Sequence, residues 1–192
     1  MTNKSNAWRV GVLALGAAFV LVGCGSSVGG DATPSGSSTS TNAGTGVSAD
    51  VPSGFKPCDD IPQSVLDSEK LRRKVPNDSD AAGGIKWRGC VWVQPDGYGA
   101  SIRTTNITVE MVREKNFADA NEFTIGGRQA ISTRQNESRP ETACNVNVYM
   151  QGGSLEIYLT NPPSAKNTGH LDTCVLTRSL AEKVVPTIPA GA

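Results

Sequence analysis

The sequence predicts an α+β domain: an antiparallel sheet of about five strands with helices packed on one face, stapled by two disulfides. Three observations predict it. Alternating apolar segments are joined by links of hairpin length, which only antiparallel neighbours allow. Apolar residues at helical spacing flank those segments on both sides. Four cysteines, Cys58, Cys90, Cys144 and Cys174, remain in the folded part, an even number that suits pairing in an oxidising compartment.

The elements follow in order. Ile61 to Lys74 reads as a first helix, with Pro62 in its first turn and Ile61, Val65, Leu66 and Leu71 as its apolar stripe. Pro76 and Gly83-Gly84 close it. Lys86 to Gln94 is rich in β-branched and aromatic residues, Pro95-Asp96-Gly97 is a turn, and Ala100 to Asn106 returns as a second strand. Thr108 to Asn116 fits a short helix better than a strand. Phe123 to Arg134 reads as one strand interrupted by a bulge or tight bend at Gly126-Gly127. Cys144 to Met150 and Leu155 to Leu159 alternate strictly around Gly152-Gly153 and form the clearest hairpin. Asp172 caps a last helix that holds Cys174, Val175, Leu180, Ala181, Val184 and Val185, and Pro186 ends it.

Upstream, the 192-residue chain carries two appendages to this domain, whose predicted span is residues 56–192. Residues 1–23 run in the order of a secretory leader: Lys4 and Arg9 first, then an uncharged apolar core from Val10 to Val22. That core is too short and glycine-rich for a membrane span. Leu21-Val22-Gly23-Cys24 resembles the bacterial lipobox. The resemblance implies cleavage before Cys24, a diacylglyceryl group on its thiol and a further N-acyl chain such as palmitate. Two or more acyl chains give stable anchoring. Residues 24–55 are then a Gly/Ser/Thr tether too poor in apolar surface to offset its ordering entropy. As a flexible coil it reaches roughly 30 Å. The expected location is the extracytoplasmic face of the cell membrane.

The cysteines open three connectivities, of which Cys58–Cys90 with Cys144–Cys174 is the most economical. Zinc is disfavoured because no Cys-x-x-Cys exists and His170 is the only histidine. Formal charge is balanced at 18 basic and 18 acidic residues. Loss of the leader removes two cations and leaves −2. There is thus no basic footprint for nucleic acid or anionic lipid, and the anchor is the expected membrane contact.

Catalytic signatures were sought and not found. His170 lies in a Gly-His-Leu loop, and no nucleophile elbow, phosphate loop or dinucleotide fingerprint occurs. Ser53 and Lys56 stand in a Ser-x-x-Lys pattern without the rigid pocket such a pair needs. Asp59-Asp60 and Asp78-x-Asp80 read as caps or solvated turns, the second lacking the later ligands of a calcium loop. No cofactor or metal is expected, beyond the covalent lipid on Cys24. One candidate binding residue stands out. In Trp87 to Val93, Cys90 and Trp92 share one face while Trp87, Val91 and Val93 share the other, so a sheet covered on one side exposes a tryptophan on its second side. Trp92 is the candidate residue for a ligand groove.

The succession is familiar: lipobox cysteine, Ser/Thr/Gly tether, Pro57-Cys58, Gly89-Cys90-Val91-Trp92, Ile125-Gly126-Gly127-Arg128, Cys144-Asn145-Val146-Asn147-Val148 and Asp172-x-Cys174. It resembles the actinobacterial lipoprotein family known as domain of unknown function 3558, over roughly Lys56 to Pro189. The resemblance implies an envelope lipoprotein without an established activity, and by looser analogy a Mog1- or PsbP-like fold. Three functions then compete. The leading one is a non-enzymatic ligand-binding or accessory module of the envelope. The others are an envelope-polymer hydrolase or transferase using spatially assembled carboxylates, and an interaction subunit of a membrane complex.

Overall fold

A computed structural model of the chain describes residues 46–136 and 138–192. The leader, Cys24 and the tether as far as residue 45 lie outside the described residues.

Two short helices, α1 (Pro57–Asp60) and α2 (Gln63–Ser68), precede strands β1 (Arg72–Pro76), β2 (Ser79–Ala81), β3 (Ile85–Val93) and β4 (Gly99–Thr105). Helix α3 (Val109–Glu114) leads to β5 (Asn121–Ile125), β6 (Arg128–Thr133), β7 (Ala143–Met150) and β8 (Gly153–Thr160), and α4 (Thr173–Val184) follows. The strands form one antiparallel sheet in the order β1-β3-β4-β8-β7-β6-β5, with β2 also on β3. The β5–β8 meander thus winds back until β8 seats against β4.

Side-chain alternation divides the sheet into two unlike faces. Cys90, Trp92, Ala100, Ile102, Val146, Val148, Leu155, Ile157 and Leu159 point to the first, beneath α1, α2 and α4, and make the main core. Leu180, Ala181 and Val184 carry α4 onto it. The disulfides tie helices to this face: Cys58 to Cys90 with Cα atoms 5.3 Å apart, and Cys144 to Cys174 at 5.1 Å. Both pairs are neighbours in sequence, the economical connectivity. Asp172 caps α4 by accepting from the Val175 amide at 3.0 Å and from Arg134 at 2.5 Å.

Four expectations need correction. The sheet has eight strands among the described residues, not about five. Gly126 and Gly127, at φ 55° and 79°, form a two-residue hairpin turn that splits the predicted Phe123–Arg134 strand into β5 and β6. The first helix stops at Ser68 rather than Lys74. There the Lys70 amide donates to Asp67 O and the Leu71 amide to Leu66 O, while Lys70 takes φ 55°. That is a Schellman stop with lysine where glycine is usual, so no residue type marked it. The freed chain becomes β1. Finally, the helices do not all share one face. α3 packs on the second face, where Val109 and Val112 cover Ile131.

The folded part also begins earlier than residue 56. Phe55 is 1% exposed in the main core, and Ser48 and Ala49 offer carbonyls to Asn106 and Lys86.

Lys70→Gly is expected to raise stability by about 0.5–1 kcal/mol. A left-handed non-glycine residue costs about 1–2 kcal/mol, partly offset by glycine's extra freedom when unfolded. Urea unfolding of the variant checks this, and a loss of stability would refute the strain argument.

A second device links α2, the β3–β4 loop and α4. The Tyr98 hydroxyl donates to Glu69 Oε2 at 2.5 Å, and Lys183 pairs with Glu69 Oε1. Burial pushes the Glu69 carboxyl up, but Lys183 and Tyr98 outweigh it and hold the group below its ordinary value of 4.5. Burial and the same carboxylate push the Tyr98 phenol far up. A depressed folded pKa means that Glu69 stabilises the fold above the unfolded value, and that this contribution is lost as pH falls through the folded one. Melting temperature should therefore drop below about pH 4.5 more steeply in the parent than in Glu69→Gln. Parallel acid limbs would show that the network contributes nothing.

Candidate functional site

The second face is where polar side chains are buried. Pairing register lays them out in rows. Gly89, Arg103, Glu156, Asn147 and Ile131 form one row across β3, β4, β8, β7 and β6. Val91, Ser101, Tyr158, Asn145 and Thr133 form the next. Trp87 stands opposite Thr105 beyond the first row. α3 covers the Ile131 end of this face, and the Trp87–Tyr158 region lies outside the cluster it seals.

The centre is Glu156, whose side chain is 7% exposed, paired with Arg103 at 17%. Arg103 Nη2 donates to Glu156 Oε1 at 2.5 Å. Trp87 Nε1 donates to Glu156 Oε2 at 3.2 Å and Asn145 Nδ2 to the same oxygen at 3.3 Å. The Arg103 guanidinium also lies 5.3 Å from the centre of the Trp87 ring, within cation–π range. Gly89 makes this possible: a Cβ there would come within 3.1 Å of Arg103 Cγ and 2.2 Å of the Ile102 carbonyl.

These groups surround a cavity of about 610 Å³, walled by Trp87 and Tyr158 and rimmed by Gln135 and Asn136. Two buried polar atoms there have no hydrogen-bond partner among the described residues: Arg103 Nε, a donor, and Asn145 Oδ1, an acceptor. Unpaired buried polar atoms are rare and costly, so two at one site call for a partner such as water or a ligand. The site thus offers aromatic walls and a fixed charge pair, with one unpaired donor and one unpaired acceptor buried among the residues that line it.

Trp92 does not belong to it. At 1% exposed it lies in the main core under the helices, and Trp87 is the tryptophan of the open face. The remaining sequence candidates scatter. His170, Ser53 and Lys56 are exposed. Asp60 accepts from the Lys56 amide, Asp78 from the Gly89 amide, and Asp80 pairs with Arg88. Among the described residues, no group of three His, Cys, Asp or Glu side chains is placed to hold a metal. No helix there is long and apolar enough to cross a membrane.

Arg103, Asn145 and Glu156 were missed although a signal existed. In the hairpin, Asn145 and Asn147 alternate out of phase with the apolar set, and so do Glu156 and Tyr158. Pairing the two strands sets Asn145 against Tyr158 and Asn147 against Glu156.

The family model described as "Protein of unknown function (DUF3558)" matches residues 19–187. No curated protein and no solved structure matches the chain.

Proposed function

This chain belongs to the DUF3558 family of proteins of unknown function, and we propose that it is a lipid-anchored, extracytoplasmic ligand-binding module of the cell envelope. Its ligand is hydroxyl-rich and glycan-like. One observation carries the reading: Arg103 Nε and Asn145 Oδ1 lack partners beside a cavity walled by Trp87 and Tyr158. A sugar ring stacks on an aromatic wall while its hydroxyls donate and accept, which matches that lining. A purely apolar ligand would leave both atoms unpaired and bind poorly.

Binding without catalysis fits the same geometry. Glycoside hydrolysis by the common route uses two carboxylates about 5–9.5 Å apart. Among the described residues, Glu156 is the one carboxylate lining this cavity, and Arg103 pairs with it. The reading as an interaction subunit has its own support in Val75 and Val93, exposed on the same face of the sheet. Helices on both faces of one antiparallel sheet support the sandwich-like layering of a Mog1 or PsbP type. The lipobox supports the anchor, and replacing Cys24 with serine should move the protein from the membrane fraction to the medium.

The decisive experiment is titration of the purified chain with maltotriose and N,N′-diacetylchitobiose, followed by NMR at the Trp87 indole and Asn145 amide. Saturable shifts with either sugar, abolished by Trp87→Ala, are the expected result. Native mass spectrometry of lipidated protein from its own host supplies the second arm. Silence at both signals, with a protein partner and no glycan in the native complex, would move the assignment to an interaction subunit.

A further inference from the structure

A second cleft lies at the β1 edge of the sheet, on its first face, between α1–α2 and β1. Its lining contains three consecutive cations, Arg72, Arg73 and Lys74. In a regular strand, successive side chains point to opposite faces, so three in a row could not share one cleft. The backbone shows how they do. Between Arg72, opposite Val93, and Val75, opposite Val91, β1 advances three residues while β3 advances two. The extra residue is a bulge, and Arg73 within it takes φ 59°. Bulges re-aim side chains, and left-handed non-glycine residues persist where the surroundings hold them.

The cleft, of about 490 Å³, is backed by the buried Leu66, Leu71 and Trp92, with the exposed Pro62 in its lining. Its charges do not cancel. Asp67 takes Arg72 at 2.7 Å, and Asp59 lies 3.9 Å from Lys74, which also donates to the Cys58 carbonyl. Arg73 has no ion pair or side-chain hydrogen bond among the described residues. One guanidinium therefore stands free at the cleft, with a second and an ammonium beside it.

We propose that this cleft binds an anionic amphiphile, a phosphate or carboxylate headgroup bearing a short apolar chain. Arg73 grips the headgroup through its planar fork, Lys74 adds charge, and the short chain lies against Pro62 and the open edge of Leu66. The site is separate from the cavity at Glu156 and does not rest on the glycan reading.

The test uses the purified chain and four probes below their micelle concentrations: dihexanoyl phosphatidylglycerol, octanoate, dihexanoyl phosphatidylcholine and inorganic phosphate. Amide shifts at Leu71 to Lys74 report binding. The phosphatidylglycerol or octanoate should bind best, and the preferred one identifies the headgroup. Arg73→Gln should weaken it about tenfold, as loss of a charged hydrogen bond does. Lys74→Gln is the second variant, should the first disturb the bulge, and Lys70→Gln, just outside the cleft, should bind like the parent. Equal affinity for phosphatidylcholine, equal affinity for bare phosphate, or unchanged binding by both cleft variants would each overturn the proposal.

Discussion

Replacing Cys144 and Cys174 together with alanine should lower the unfolding free energy by about 2–5 kcal/mol, the range found when native disulfides are removed from small exported domains. The closed loop spans 30 residues, for which the chain-entropy treatment gives roughly 3–4 kcal/mol. Native contacts act in the same direction. Cys144 is fully buried on β7, and its bond fixes the first turn of α4 to the start of that strand. Domains of this kind hold only about 5–15 kcal/mol in total, so the variant would unfold at markedly lower urea. Leu180, Ala181 and Val184 still hold the far end of α4 in the core, so secondary structure should survive. Urea titration of the parent and the double alanine variant checks this, with the denaturant slope compared between them. A loss under 1 kcal/mol would mean that packing alone seats α4 and that the bond is incidental to stability.

Much of this arrangement could be read before any coordinates. The β7–β8 hairpin announced itself because strict alternation and a glycine turn point to the same structure. The last helix did so because Asp172, an apolar stripe and Pro186 agree. What escaped notice has specific causes. β1 consists of Arg72-Arg73-Lys74-Val75-Pro76, exposed along its length, and a charged edge strand with no apolar alternation reads as the tail of the helix before it. The helix before it ends on Lys70 in a conformation that glycine usually signals. The split of β5 from β6 was misread because a glycine pair serves equally as bulge or turn, and only pairing distinguishes them.

The candidate site was legible in principle but not in emphasis. Trp92 and Trp87 look alike from the sequence, since either face of β3 carries a tryptophan. Alternation sets Trp87 on the opposite face from Trp92 but does not say which of the two faces the helices cover. The buried polar set was overlooked because Asn145, Asn147 and Glu156 look like solvent-facing residues of a half-exposed hairpin. Their burial depends on β4, β6 and α3 closing around them, which is a tertiary fact.

That burial leads to the other large expected effect. Arg103→Met should cost about 3–5 kcal/mol, because it leaves the Glu156 carboxylate without its cation at 7% side-chain exposure. The lower end of that range is expected, since Trp87 Nε1 and Asn145 Nδ2 still donate to Glu156. Glu156→Gln alone removes the charge from the other side and leaves Arg103 unpaired beside Trp87. The double variant Arg103→Met/Glu156→Gln removes both charges while keeping an acceptor for the two donors. It should recover most of the loss, giving a coupling energy well above that of an exposed pair, about 0–1 kcal/mol. Urea unfolding of the four proteins yields the cycle directly. A near-zero coupling would mean that water already screens the pair and that the cavity is open to bulk solvent. A large one has a functional consequence. Neutral replacements that restore stability show the ion pair to be dispensable for folding. Sugar binding by the double variant then separates the two roles, because a folded but non-binding protein would place Arg103 and Glu156 in recognition.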